Sequence, residues 1–174
     1  WVKLAEHTLS GYNFDTKDLD DSAMFTSTYD RYRIYIYDFQ PQSDDVQLRV
    51  QFKLGGVFRT DTNYEHHTMM PSSGSANYVS DSSAGNNFIS LLKGCGNASD
   101  ERHTLILEYS LPTTTGHWHD LMWSGITMRP DNDVGVVNGV GYNRSSTGAL
   151  TTLRFFTSSG NIENWHLVGY GLKS

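Results

Sequence analysis

The chain has 174 residues, of which 37% are hydrophobic and 18% charged, and its formal net charge is −6. This length and composition are typical of one globular domain with a sizeable core, and they exclude an intrinsically disordered chain. The basic residues are scattered and form no stripe that would neutralise phosphates, so the sequence predicts no nucleic-acid partner. It also contains no apolar run of about 18 residues, and we expect no membrane span.

Strand patterns begin at the start of the chain and recur along it. Val2–Leu9 is a candidate first strand, and residues 29–41 alternate β-branched and aromatic side chains before a proline. Residues 46–54 alternate strictly between apolar and polar side chains, as a half-buried strand does. From the glycine pair at 55–56 to about Asn87 the chain is rich in Ser, Gly, Asn and Asp. This stretch predicts either a long excursion or a few short edge strands.

The second half of the chain contains further strand patterns separated by turn clusters. They lie at residues 88–93, 104–111, 117–128, 134–142, 150–157 and 165–172. Helix signals are scarce, and the acidic segment 18–24 is too short for more than a turn. The pattern predicts one all-β domain over residues 1–174, an antiparallel β-sandwich of jelly-roll type.

One face of the segment 29–41 is aromatic and contains arginine. Its outward members are Arg33, Tyr35 and Tyr37. Aromatic and arginine side chains are enriched in the cores of protein interfaces. We therefore expect this face, or the strand that faces it, to contribute to a subunit contact.

Several segments together resemble a family of bacteriophage tail-fibre and virion structural modules. The pair "YDRYRIYIYDFQP" and "VQLRVQF" resembles two consecutive strands of that family. "TLSGYNFDTKDLD" resembles the segment before them, "LPTTTG" a later loop, and "ALTTLRFFTSSGNI" with "WHLVGYGLK" its ending. The resemblance covers the chain in patches and leaves out residues 57–90. It implies a jelly-roll or lectin-like sandwich at the C-terminal end of a fibre or spike, with other virion proteins as partners and a homotrimeric assembly.

Two further features agree with this resemblance. The chain starts at Trp1 rather than at a methionine, so we expect it to be the C-terminal module of a longer chain. Cys95 is the one cysteine, which precludes an intrachain disulfide and suits assembly in the host cytoplasm. The expected location is the virion.

The segment "TTTGHWHDLMW" raises the question of a metal site. Two histidines at i and i+2 of a strand, here His117 and His119, point to the same face. A metal needs at least a third ligand. That ligand could come from the separate segment "YEHHT" at residues 64–68. Nothing in the sequence brings these segments together. We expect hydrogen-bonded or solvated imidazoles, with no metal and no other cofactor.

Catalytic patterns are weak, whereas sugar-binding residue types are present near predicted loops. The chain has no G-x-S-x-G elbow and no strand with paired carboxylates, so we expect no catalytic residues and no enzymatic activity. Lectin-like sites combine an exposed aromatic ring with polar side chains that bind hydroxyls. The candidate ligand-binding residues are Tyr64, His66, His117, Trp118 and His119. The alternative is that Trp118 packs inside the sandwich.

The sequence therefore predicts a non-enzymatic virion module that attaches to a host-surface glycan or protein receptor. One alternative is a capsid decoration protein that stabilises the shell. Another is a sugar-cleaving or metal-dependent depolymerase domain. A receptor-binding module is expected to expose an aromatic and polar cluster, a decoration protein a broad contact face, and an enzyme a cleft with converging carboxylates or histidines.

Overall fold

The computed structural model describes residues 1–11, 13–72, 75–130, 133–145 and 148–173, without the side chains of residues 72–82. These ranges contain thirteen β-strands and no helix. The strands are β1 (Val2–Leu9), β2 (Thr16–Leu19), β3 (Arg31–Pro41), β4 (Val46–Leu54), β5 (Val57–Phe58), β6 (Tyr64–Ser72), β7 (Ser75–Asn86), β8 (Ile89–Cys95), β9 (His103–Ser110), β10 (His119–Met128), β11 (Val134–Asn143), β12 (Leu150–Thr157) and β13 (Ile162–Leu172).

The strands form two antiparallel sheets that pack face to face around one core. The larger sheet has the order β1-β13-β3-β9-β10-β11-β6-β7. The smaller sheet has the order β2-β12-β4-β5, and β8 also pairs with β4. This arrangement confirms the predicted all-β sandwich, whereas the jelly-roll type remains a prediction.

The strand β4 shows how alternation in the sequence builds the core. Its inward side chains Leu48, Val50 and Phe52 expose no surface, whereas Arg49 and Lys53 are partly exposed on the other face. Burying each such apolar side chain contributes about 1.5–3 kcal/mol. The strand ends at Gly55 and Gly56, whose positive φ angles turn the chain into β5. The bounds of β1 and β4 coincide with the predicted segments.

The polar stretch after β4 differs from its expected form. Besides the short β5, it contains β6 and β7, which pair with each other and extend the larger sheet beyond β11. Three β6 side chains with strand alternation, Tyr64, His66 and Thr68, are buried in the sandwich. The stretch is therefore a long hairpin whose outer strand forms the sheet edge, rather than an excursion or short strands alone. Polar side chains at the inward positions conceal the alternation.

A glycine–tryptophan contact joins β10 and β11. Trp123 lies directly opposite Gly139, and its indole is buried. A Cβ added at position 139 would lie 2.2 Å from Cε2 of the ring, so the close approach requires glycine there. This fit fixes the inward face of both strands and leaves the even-numbered residues of β10 and β11 on the outer face of the larger sheet.

Candidate functional site

The two histidines of "GHWHD" have different surroundings. His119 is the first residue of β10 and is buried, whereas His117 precedes the strand and is exposed. The two imidazoles therefore do not share an exposed strand face, as their spacing alone would predict. The strand turns Trp118 and Asp120 outward instead, on either side of His119.

His119 is held as a neutral imidazole between two partners. Its Nε2–H donates to the Gly148 carbonyl oxygen at 3.0 Å, which leaves Nδ1 to accept a hydrogen bond from the Tyr109 hydroxyl. Burial lowers the pKa of His119 and raises that of Tyr109. The pair thus anchors the start of β10 from inside the sandwich, and it is a structural contact rather than a ligand site.

Trp118 forms an exposed aromatic platform supported from behind. Its indole is 58% exposed and stacks on Tyr142 of β11, with ring centroids 5.4 Å apart and planes 8° from parallel. The Tyr142 hydroxyl donates to the Glu65 carboxylate, which also pairs with the guanidinium of Arg144. The Trp118 ring is therefore held in one orientation although much of it faces solvent. We call this assembly of Trp118, Tyr142, Glu65 and Arg144 the Trp118 platform.

The indole borders an open depression of about 270 Å³. Its lining combines apolar surface with hydroxyl, imidazole and carboxylate groups, from Ser110, Leu111, Thr114, His117, Trp118, His119 and Asp120. Tyr142 does not line the depression. The ring that supports Trp118 therefore leaves the depression free for a ligand. An exposed aromatic ring can stack on the apolar face of a sugar, while the polar groups beside it form hydrogen bonds with the sugar hydroxyls.

The other candidate ligand-binding residues lie in the interior. The Tyr64 ring is fully buried, and its hydroxyl accepts a hydrogen bond from the Phe52 backbone N–H at 2.7 Å. His66 is also buried, on the inner face of β6. Of the five residues named from the sequence, the structure thus places His117, Trp118 and His119 around one depression, with only the first two exposed. Within the described ranges no three histidine, cysteine or acidic side chains are placed to hold one metal ion.

A second aromatic depression, of about 290 Å³, lies on the outer face of the larger sheet. It is lined by Trp1, Arg33, Tyr35, Tyr37 and Tyr170. Tyr35 stacks on Tyr37 with centroids 5.7 Å apart, and Tyr170 meets Tyr35 edge-on. The Arg33 guanidinium lies 4.8 Å from the centroid of the Trp1 ring. The face expected at a subunit contact is therefore a partly exposed aromatic surface.

Arg33 is also held by a carboxylate from the neighbouring strand. Its Nε donates to Glu108 at 2.8 Å, and this hydrogen bond raises the pKa of the guanidinium. Arg33 and Glu108 also border a third depression, of about 320 Å³, that extends to Met122 of β10. The polar and aromatic surface of β3 and β9 thus adjoins the outer face of β10.

The centre of this outer face is aliphatic. Six exposed side chains of β6, β10 and β11 lie there. We call them the valine–methionine face: Met69, Met122, Ile126, Val134, Val136 and Val140. Their neighbours across the ladder include Met122 with Val140 and Ile126 with Val136. The alternation of β11 was readable from the sequence, but its outward orientation was not, because the strand order was unknown.

Several site residues were missed by sequence reasoning. Tyr142 and Glu65 are 77 positions apart, and only the pairing of β11 with β6 brings them together. Trp1 joins Arg33 through the pairing of β13 with β1 and β3. Neither pairing leaves a local signal in the sequence, because each depends on strand order.

Comparisons with known proteins add no relative. No described helix is long and apolar enough to cross a membrane. No protein-family model, curated protein or solved structure matches the chain.

Proposed function

We propose that this chain is a non-enzymatic attachment module of a phage tail fibre or spike, and that it binds a host-surface glycan at the Trp118 platform. The virion context follows from the resemblance of the strand motifs described above. The glycan as ligand follows from the residue chemistry of the depression. A rigid sandwich suits such a role because loops at its ends can vary without loss of the core.

The orientation of the Trp118 ring is the observation that carries the proposal. A large exposed indole normally adopts several rotamers, and a ligand would have to immobilise it at a cost in entropy. Here Tyr142 stacks on the ring, and Glu65 with Arg144 holds Tyr142. This preorganisation reduces the cost of binding a sugar ring on the open surface of the indole.

The polar groups around Trp118 support binding without cleavage. His117 and Thr114 offer groups that can hydrogen-bond to sugar hydroxyls, and Asp120 can accept from two of them. Glycoside hydrolysis generally uses two carboxyl groups that flank the scissile bond. Asp120 is the one carboxylate among the residues that line the depression. We therefore favour recognition over depolymerisation.

Capsid decoration is a second candidate, and the valine–methionine face favours it. A decoration protein needs a broad surface that neighbouring subunits cover. Electron microscopy of the particle that contains this chain separates the two functions. Attachment expects Trp118 and His117 at an outward tip, whereas burial of that end against the shell would contradict it.

A binding experiment tests the attachment proposal directly. The full chain is applied to an array of bacterial surface polysaccharides, and the bound glycan is then titrated in solution. We expect Trp118→Ala to weaken binding at least tenfold, which corresponds to about 1.4 kcal/mol, and Trp118→Phe to weaken it less. Phe14→Ala, which removes an exposed ring elsewhere, serves as the control. Binding to none of the glycans, or equal binding by wild type and Trp118→Ala, would overturn the proposal.

A further inference from the structure

The valine–methionine face is unusual for a surface in contact with water. Its six side chains are 41–57% exposed. Together they present roughly 500 Å² of apolar surface, which is at the upper end of what monomeric proteins leave uncovered. The largest apolar patch on a protein surface is often a contact with another molecule.

The outer face of the smaller sheet makes the contrast clear. Its aromatic rings are covered by cationic side chains of the same sheet. The Arg154 guanidinium lies 3.6 Å from the centroid of the Phe58 ring, and that of Arg49 lies 4.0 Å from the centroid of Phe88. Arg154 is further held by Asp18 through two hydrogen bonds. Charged groups thus shield this face, whereas on the outer face of the larger sheet the Arg33 guanidinium lies over Trp1 and not over the valine–methionine face.

Charge favours contact through the centre of the valine–methionine face. The described residues beside its members on this face are Ser124, Asn138, Ile106 and His67, which lies opposite Val140, and they carry no formal charge at pH 7 with histidine counted as neutral. Glu108 and Asp120 lie only at its border, beside Met122. Two copies that each carry a net charge of −6 would repel elsewhere, but they can meet here without burying an unpaired charge.

We propose that a second copy of this chain packs on the valine–methionine face. A partner for this surface must itself be broad, aliphatic and uncharged. Among the described residues no other exposed apolar surface is both broad and aliphatic. The remaining exposed apolar side chains are the aromatic Trp1, Phe14, Tyr37 and Trp118, and the aliphatic Val2, Val57 and Leu111, which lie on three separate parts of the chain. A surface that pairs with itself forms a two-fold, isologous contact. The product is a dimer rather than the trimer implied by the family resemblance.

The available area suits a dimer. A standard protein interface buries about 800 Å² on each partner. The aliphatic side chains supply more than half of this area, and the uncharged Ile106, Ser124 and Asn138 on the same face add to it. Arg33, Tyr35 and Tyr37 lie on β3, two strands away from β10. The centre of the proposed contact is therefore at Met122 and Val136 rather than at those three residues, where the sequence predicted it. The aromatic depression then borders the contact instead of forming it.

Sedimentation velocity of the full chain over a wide concentration range tests the proposal. We expect a concentration-dependent dimer for the wild type and a monomer for Val136→Asp and for Met122→Lys. Val57→Asp is the matched control, because it places the same charge at an exposed valine of the smaller sheet, and it is expected to remain dimeric. Far-UV circular dichroism verifies that each variant is folded. If Val136→Asp does not fold, the oligomeric state of Met122→Lys tests the proposal.

Three results would overturn the proposal. They are a wild type that stays monomeric at every concentration, an oligomer that both face variants leave intact, and a trimer. A monomer would assign the face to a different protein, such as a shell subunit. Glycan binding by the monomeric variants is measured separately, so failure of this inference and failure of the attachment proposal are distinguishable.

Discussion

His103 is expected to make the stability of the sandwich depend on pH. The imidazole is fully buried between β9, β10 and the segment after β8. Its Nδ1 accepts a hydrogen bond from the Met128 backbone N–H at 3.1 Å, and its Nε2–H donates to the Gly96 carbonyl at 3.1 Å. Both nitrogens are thus used by the neutral ring. A proton on Nδ1 would displace the bond from the Met128 N–H, and the Thr127 hydroxyl, 3.1 Å from Nδ1, is the neighbouring group that could accept it, while burial disfavours the positive charge.

The structure gives the size and sign of this effect. Burial lowers the pKa of His103 from its ordinary value of 6.5 to about 4. The unfolded chain therefore takes up a proton before the folded chain does, so the stability is fully present above the unfolded pKa and declines as the pH falls toward the folded one. From pH 7 to pH 5 this single group reduces the free energy of unfolding by about 2 kcal/mol. His119, whose pKa is also lowered, acts in the same direction.

Urea unfolding at pH 7 and at pH 5 measures this contribution. The wild type and His103→Gln are compared, because glutamine keeps a donor for the Gly96 carbonyl but does not titrate. We expect the variant to be less stable at pH 7 and to lose about 2 kcal/mol less than the wild type between the two pH values. His117→Gln, the same replacement at an exposed histidine, serves as the matched control. Equal losses for wild type and His103→Gln would refute the reasoning.

Three further outcomes follow from the structure. Gly139→Leu drives a side chain into the Trp123 ring and is expected to destabilise the fold by about 1–3 kcal/mol in urea unfolding; a variant as stable as the wild type would contradict the glycine–tryptophan fit. The buried Cys95 thiol, whose pKa is raised by burial to about 12, is expected to react with a thiol reagent at pH 8 only after unfolding, and rapid labelling of the native chain would show that it is accessible. Glu65→Gln removes the charge that holds Tyr142 and Arg144, and on the glycan array we expect binding weaker than wild type but stronger than Trp118→Ala; unchanged binding would mean that support of the ring by Tyr142 does not matter.

Strands with one apolar face were predictable from the sequence, and strands with polar inward residues were not. β4 was recognised with its observed bounds because Val46 to Leu54 alternate in the ordinary way. β6 was not, because His66 and Thr68 occupy inward positions where the alternation rule expects apolar side chains. Their burial depends on partners from other strands, such as the Ser90 carbonyl that accepts from the Thr68 hydroxyl at 3.2 Å.

The candidate site was predictable only as a set of residue types near a loop. Trp118 and His117 were named because they lie near a predicted loop, and the structure exposes both. The supporting side chains Tyr142 and Glu65 come from two other strands. Their proximity depends on strand order, which is a long-range property that periodicity does not encode.

The opposition of Trp123 and Gly139 has a consequence for how this surface can vary. Strand side chains alternate between faces, so a slip of one residue between β10 and β11 would exchange the inward and outward side chains of the shifted strand. Such a slip would place Asn138 or Val140 opposite the indole, where no space exists for a side chain. Substitutions on the outer face can therefore accumulate without shifting the strands, because one interior contact keeps the alignment. The chain can change what it presents to a partner while the interior that presents it stays the same.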